Sequence, residues 1–454
     1  MKKFELLPTE EILIETLYKD TIDRNKDVVC FYNILQAQES ASTIAIDGRW
    51  GSGKTFFVRQ TKMVINALNP SSAMDEETRA KAIISLPFSK KDEERENYSV
   101  AVYYDAWGND NDTEPILSLI YEITKQLSID FSLSDISFVK TAGAIIEAIS
   151  GHNVNGIKDT LTSEDPFSKF KEQKDIEQKI KDFFTDLLAE RGNRLVIFID
   201  ELDRCKPTFA VHLLEQIKHY IYDDRITFVF SVNLEQLQHT IKHYYGEGFD
   251  SCRYLDRFFD LRISMPLANM KKFYDEIGLG STYYVDIVTQ RIIKMYNLEM
   301  REIARLYSQI QAAVYEPTHN RTKYELTYPD GQGRLMILIY IVPLLIGLRM
   351  VDVSKCDDFV NGRDVEPLKK LLDNEEDYYL LKDMLNRDES FEKKEGKKLV
   401  TKEQMIERIY NAVFVNQYNG GRHRTIMGLY EFSKESRTFA LSAANMMTNY
   451  AELS

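Results

Sequence analysis

Gly48-Arg49-Trp50-Gly51-Ser52-Gly53-Lys54-Thr55 is a complete G-x-x-x-x-G-K-T, set directly after the apolar segment Thr43-Ile44-Ala45-Ile46-Asp47 and before a helical pattern of Phe57, Val64 and Leu68. Glycines let the backbone curl so that several N–H groups point at one anion, and the following helix adds its positive N-terminal end. The Lys54 ammonium neutralises the outer phosphates and the Thr55 hydroxyl is placed to ligate Mg²⁺. The stretch therefore predicts a nucleotide phosphate-binding loop, with Gly48, Arg49, Trp50, Gly51, Ser52, Gly53, Lys54 and Thr55 around the phosphates.

A second stretch supplies the other half of such a site. Leu195-Val196-Ile197-Phe198-Ile199-Asp200-Glu201 is an apolar run ending in two acids, which is how a buried parallel strand reads when its C-terminal end opens into an active site. Asp200 is placed to hold the metal shell with Thr55. Glu201 is the candidate to orient and deprotonate the water that attacks the γ-phosphate.

Outward from these motifs, short β-branched runs predict strands at Thr43 to Asp47, Ser99 to Tyr104, Arg194 to Ile199, Ile226 to Val232 and Asp260 to Met265. Helical periodicity places Phe209, Leu213, Ile217 and Tyr220 on one face, and Leu234, Leu237, Ile241 and Tyr244 on another. Five strands with intervening helices make a doubly wound parallel sheet the economical fold. The domain expectation is a core over 1–266 with polar or loosely helical insertions near 69–96 and 133–165. Helices alone are expected after it, a lid over 267–333 and a C-terminal helical region over 334–454.

The bulk properties narrow the partners. The 454 residues carry a formal net charge of −13, which argues against broad electrostatic capture of nucleic acid and leaves only a local basic groove for it. Four cysteines without metal-ligand spacing suit a reducing cytoplasm, and acids and a proline interrupt the N-terminal apolar residues, so no signal peptide is expected. Leu335 to Leu348, broken by Pro343, falls short of the roughly 20 residues a spanning helix needs. It reads as a buried helix, and no membrane partner is expected.

Longer motifs carry a resemblance. The Trp50-Gly51-Ser52-Gly53-Lys54 core, together with Ile199-Asp200-Glu201-Leu202-Asp203-Arg204-Cys205-Lys206-Pro207, resembles the KAP family of P-loop NTPases, whose acidic strand usually ends Ile-Asp-Asp-Leu-Asp-Arg-Cys. Tyr104-Asp105-Ala106-Trp107 is similar to that family's Phe-Asn-Ala-Trp segment, and Met300-Arg301-Glu302-Ile303-Ala304-Arg305 to its Pro-Arg-Asp-Ile-Lys-Arg helix. The resemblance covers about residues 10 to 350. It implies an additional-strand P-loop NTPase core with strand order 5-1-4-3-2, a helical lid, and ATP with Mg²⁺ as the usual ligands.

Three departures from the family pattern bear on mechanism. Glu201 replaces the second Asp but retains a carboxylate. Asn233 stands where many members have Asp after the fourth strand, and an amide there can still serve as a sensor for water or γ-phosphate. Many members carry transmembrane helices between the two nucleotide motifs, and here that segment is too polar to span.

Arginines complete the candidate set. Arg253 and Arg257 sit four apart and share a helix face just before the fifth strand; in oligomeric relatives of this core an arginine there reaches a neighbour's γ-phosphate. The alternative for Arg257 is an intramolecular pair with Asp256 or Asp260. Arg301 is the candidate lid arginine in contact with the nucleotide. Asp203 and Arg204 read as a structural pair, with a secondary metal-shell role for Asp203.

The functional expectation is an ATPase that switches an assembly of its own copies or a protein partner through the helical C-terminal region, and similar bacterial proteins are often linked to phage exclusion. One competitor is a DNA-stimulated motor, because Asp200-Glu201-Leu202-Asp203 is literally a D-E-x-D box. Against it stand the acidic balance and the absence of a second strand-rich motor domain after residue 266. The other competitor is a nucleotide-binding scaffold without turnover.

Overall fold

The protein is described here by a computed structural model covering residues 7–88, 98–127, 168–220, 223–315, 332–374, 381, 401–416 and 424–445. The insertion expected at 133–165 lies outside these residues. Contacts divide the chain into two compact units, Leu6–Phe273 and Tyr274–Ser454.

In the first unit, β1 (Ser42–Asp47), β2 (Ser99–Asp105), β3 (Arg194–Asp200), β4 (Ile226–Val232) and β5 (Leu261–Ser264) form one sheet. Its order, β2-β3-β4-β1-β5, is the expected 5-1-4-3-2 read from the other edge. All four pairings are parallel.

Alternate residues of each strand enter different cores, as a pleated strand requires. Leu195, Ile197 and Ile199 of β3 join Phe228, Phe230 and Val232 of β4 on one face. Val196 and Phe198 join Ile44, Ile46 and Val229 on the other. Helices α1 (Glu10–Lys19), α2 (Asn25–Gln36), α3 (Lys54–Leu68) and α4 (Glu76–Ile84) cover the second face through Leu17, Phe31, Val64 and Ala82. The first face is covered by α5 (Pro115–Gln126), α6 (Ser168–Arg191), α7 (Pro207–Tyr220), α8 (Leu234–Tyr245) and α9 (Ser251–Phe258), which contribute Leu119, Phe183, Leu213, Leu237 and Leu255. Each fully buried aliphatic or aromatic side chain contributes about 2 kcal/mol, so burial from both sides explains why β3 is apolar from Leu195 to Ile199 and β4 is mostly apolar.

One local expectation gains detail and another needs correction. The polar stretch at 69–96 holds the nine-residue helix α4, too short to persist alone in water. Asp75 caps it by accepting from the Thr78 N–H at 2.9 Å, and the Arg79 guanidinium donates to the carbonyls of Ala67 (2.6 Å) and Asn69 (2.8 Å), fastening it to the end of α3. Tyr244, expected on the apolar face of α8, is instead exposed beside His212.

The second unit is not purely helical, because Thr425–Met427 (β6) and Tyr430–Phe432 (β7) pair as an antiparallel hairpin. Its helices include α10 (Tyr284–Tyr296) and α11 (Met300–Ile310). Among the described residues, Gln332–Val351 is the one helical run long and apolar enough to cross a membrane, and 67% of its most apolar window is buried within the protein. Ile337–Ile341 forms a wide π-turn within it, just before Pro343. That widening is expected where a proline lacks an N–H and its ring crowds the preceding turn.

Asp286 is the notable charge of this unit. It is 2% exposed and its Oδ1 has no hydrogen-bond partner among the described residues. Burial pushes its carboxyl up to about 6, with hydrogen bonding to Tyr307 opposing the shift. The unfolded carboxyl ionises near 3.8, so the folded state holds the proton more tightly, and stability present at low pH is lost as pH rises through about 6. Asp286→Asn should therefore stabilise the protein at pH 7.5, by up to about 3 kcal/mol, with the advantage shrinking towards pH 4.5. Urea unfolding at both pH values checks this, and an advantage independent of pH would contradict the raised carboxyl.

Candidate active site

The C-terminal ends of the central strands are level. Asp47 of β1 pairs in register with Val232 of β4, Asp200 of β3 with Ser231 of β4, and Asp105 of β2 with Asp200. Whatever follows β1 and β3 is thereby delivered to one edge, where open α/β sheets bind their ligands.

From β1 the chain leaves through Gly48, whose N–H donates to the Val232 carbonyl at 3.2 Å. A Cβ on Gly48 would lie 2.9 Å from Met265 Cβ and 3.0 Å from Ser52 Oγ, so no larger residue fits. Gly51 and Gly53 take φ values of 88° and 89°, which curl the loop back over the start of α3. Helix α3 has no side-chain cap at Gly53, and the buried Ser52 hydroxyl lacks a hydrogen-bond partner among the described residues. Uncapped N–H groups, an orphaned hydroxyl and a glycine cradle suit a phosphate chain.

Lys54 lies inside this cradle, 8% exposed, with its ammonium donating to the carbonyls of Gly48 and Arg49. Burial lowers its pKa, and the carboxylates of Asp203 and Asp200 oppose the fall. The Trp50 indole N–H donates to Asp203 Oδ2 at 2.6 Å, tying the loop to the turn after β3.

Asp200 is 1% exposed. Its Oδ2 accepts from the Tyr103 hydroxyl and its Oδ1 from the Glu201 N–H, both at 3.0 Å. Burial raises its pKa, while hydrogen bonding from Thr55 and Tyr103 and the nearby Lys54 charge work against the rise. A buried carboxylate beside a threonine hydroxyl is a donor set that fits Mg²⁺, a hard cation with oxygen ligands.

Glu201 follows at φ 61°, a left-handed conformation uncommon outside glycine. Its carboxylate pairs with Arg204 at 2.8 Å across the single 3₁₀ turn Leu202–Arg204. The expected pairing of Asp203 with Arg204 is therefore corrected. Residues three apart face one another on that turn and adjacent ones do not, so Arg204 meets Glu201 while Asp203 meets Trp50.

Asn233 directly follows β4, and its Oδ1 caps α8 by accepting from Gln236 N–H at 3.3 Å. Arg253 pairs with Asp250 at 3.4 Å on an 83% exposed side chain. Asp256 binds Arg262 at 2.7 Å, and Asp260 accepts from the Thr43 N–H at 2.7 Å. Both acids offered as partners for Arg257 are thus engaged elsewhere, and Arg257 is exposed with no ion pair among the described residues. Arg301 is exposed in the first turn of α11, in the second unit.

Sequence reasoning missed Tyr103, which supports Asp200, and Arg24. The Arg24 guanidinium, buried at 5% exposure, donates to the carbonyls of Ser52 (3.1 Å) and Pro266, joining the loop to the segment after β5. Its partners lie 28 and 242 residues away, so no local pattern announces it.

A search of curated proteins finds no match to this chain. The family model for the KAP family P-loop domain matches residues 27–312, a span inside the expected 10 to 350 and more than half of the 454 residues. With the strand order, the glycine cradle and the acidic strand in place, the match identifies the chain as a member of the KAP family of P-loop NTPases.

Proposed function

We propose that the protein hydrolyses ATP with Mg²⁺ and uses the cycle to switch an assembly of its own copies or a protein partner through its helical C-terminal region. The observation that carries this reading is the convergence of Lys54, Asp200 and Glu201 at one sheet edge, with Thr55 near enough to Asp200 to favour its carboxylate form. Mg²⁺, held by Thr55 and Asp200, would supply positive charge to the phosphate oxygens.

The chain's own groups divide the remaining work. Backbone N–H groups of the loop after Gly48, up to Thr55, bind phosphate, and the Lys54 ammonium exchanges its carbonyl partners for phosphate oxygens. The Glu201 carboxylate orients the attacking water and accepts its proton. The Asn233 oxygen is occupied as a helix cap, which leaves its amide N–H groups as the donors for a sensor role. Arg257, exposed and without an acid partner among the described residues, is the preferred finger towards a neighbouring subunit, with Arg253 as fallback. Arg301 is proposed as the lid arginine.

Turnover measured at several protein concentrations, with and without single- and double-stranded DNA, tests the whole reading. Specific activity rising with concentration supports the oligomeric switch. Strong stimulation by DNA supports a motor, and binding without turnover a scaffold.

Three substitutions separate the roles. Lys54→Ala should weaken ATP binding by at least about 10²-fold, since the phosphate charge is left uncompensated; wild-type affinity by calorimetry would place the phosphates elsewhere. In Glu201→Gln, Mg-ATP binding should persist while hydrolysis falls by roughly 10²-fold or more. A rate within a few-fold of wild type would move the base, with Asp203 the next suspect.

Arg257→Ala should lower turnover by about 10³-fold with little change in ATP affinity, because a finger contacts charge that develops in the transition state. Mixing Arg257→Ala with Glu201→Gln protein should restore some activity, as one chain offers an intact site and the other an arginine. No recovery in verified mixed oligomers would sink the trans assignment.

A further inference from the structure

The two tryptophans of the chain, Trp50 and Trp107, are 46% and 51% exposed. Residues this large and this open contribute little to a core. What they share is one cation, since the Arg204 guanidinium lies 5.8 Å from the Trp50 ring centroid and 5.4 Å from that of Trp107. Each ring is anchored by its own element. Trp50 belongs to the phosphate loop and is pinned to Asp203 at 2.6 Å. Trp107 sits in the turn after β2, closed by the Gly108 N–H donating to Asp105 Oδ1 at 2.9 Å.

We propose that Arg204 is a positioning residue for Glu201, held between Trp50 and Trp107 so that the phosphate loop, the β2 turn and the acidic strand set the carboxylate together. This rests on Glu201 as the base of the ATPase reading above. A guanidinium carries donors only and stays protonated, so Arg204 takes no proton from water. It fixes one carboxylate oxygen of Glu201 at 2.8 Å.

The surroundings argue for a built device rather than an incidental surface pair. The two side chains are only 21% and 17% exposed, whereas open ion pairs hold no fixed geometry. Glu201 also keeps a left-handed backbone at φ 61°, an arrangement that persists where surrounding contacts over-determine it. A planar cation with flat faces is the group that two indole rings can clasp, and lysine offers no such plane.

The test compares steady-state ATP turnover of wild type, Arg204→Ala, Arg204→Lys, Glu201→Gln and the Arg204→Ala/Glu201→Gln double variant. Arg204→Ala should lower kcat by about 10-fold or more with KM for Mg-ATP within about twofold. The double variant should be no slower than Glu201→Gln alone, because Arg204 acts through that carboxylate. Arg204→Lys should fall between wild type and Arg204→Ala, and it remains readable if the alanine variant does not fold. Intrinsic fluorescence arises from these two indoles alone among tryptophans, so Arg204→Ala should shift the emission of the nucleotide-free protein. Wild-type kcat in either Arg204 variant, or losses that multiply in the double variant, would overturn the proposal. If Glu201→Gln itself retains turnover, the base assignment fails first, which distinguishes the two failures.

Discussion

β4 lies between β1 and β3, and its two hydrogen-bonded ladders hold the loop-bearing strand and the acid-bearing strand at one level. The site depends on that register. A slip of one residue would turn every side chain of a strand to the opposite face, exchanging Ile197 and Ile199 for Val196 and Phe198 in the first core. The burial of both faces therefore keeps Asp200 level with the end of β1.

With the register set, the electrostatics follow from proximity and burial. Lys54, Asp200 and Asp203 are each less than a tenth exposed, and isolated charges at such depth are costly. They are tolerated because they compensate one another: the carboxylates oppose the loss of the Lys54 proton, and Lys54 opposes protonation of Asp200. Ligand binding replaces partners within a preorganised set rather than creating a charged site anew. Preorganisation of this kind is what electrostatic catalysis requires.

The loop is also held from outside its own sequence. Trp50 reaches Asp203, the Arg24 guanidinium donates to the Ser52 carbonyl, and the Gly48 N–H donates to β4. Anchors from the turn after β3, the start of α2 and β4 explain how a glycine-rich loop with two left-handed residues keeps one shape. The same economy appears around Arg257, where Arg262 and Thr43 engage the neighbouring acids and leave the arginine exposed.

Much of the fold was legible in the chain. The spacing of glycines around Lys54, the apolar run before Asp200 and the β-branched segments suffice for a parallel sheet with a nucleotide loop, because strand burial and phosphate geometry impose period and residue type locally. The strand order came from family resemblance, since no local pattern states which strand is central. Side-chain partnership was decided only in three dimensions. Arg204 pairs with Glu201 and not Asp203 because a 3₁₀ turn faces residues three apart. Asn233 serves as a helix cap, α4 is fastened by Arg79, and Tyr103 and Arg24 join the site from distant segments. Local sequence determines which groups are present and which conformations they favour, but the choice among competing partners rests on distances that exist only once the two cores have closed on the sheet.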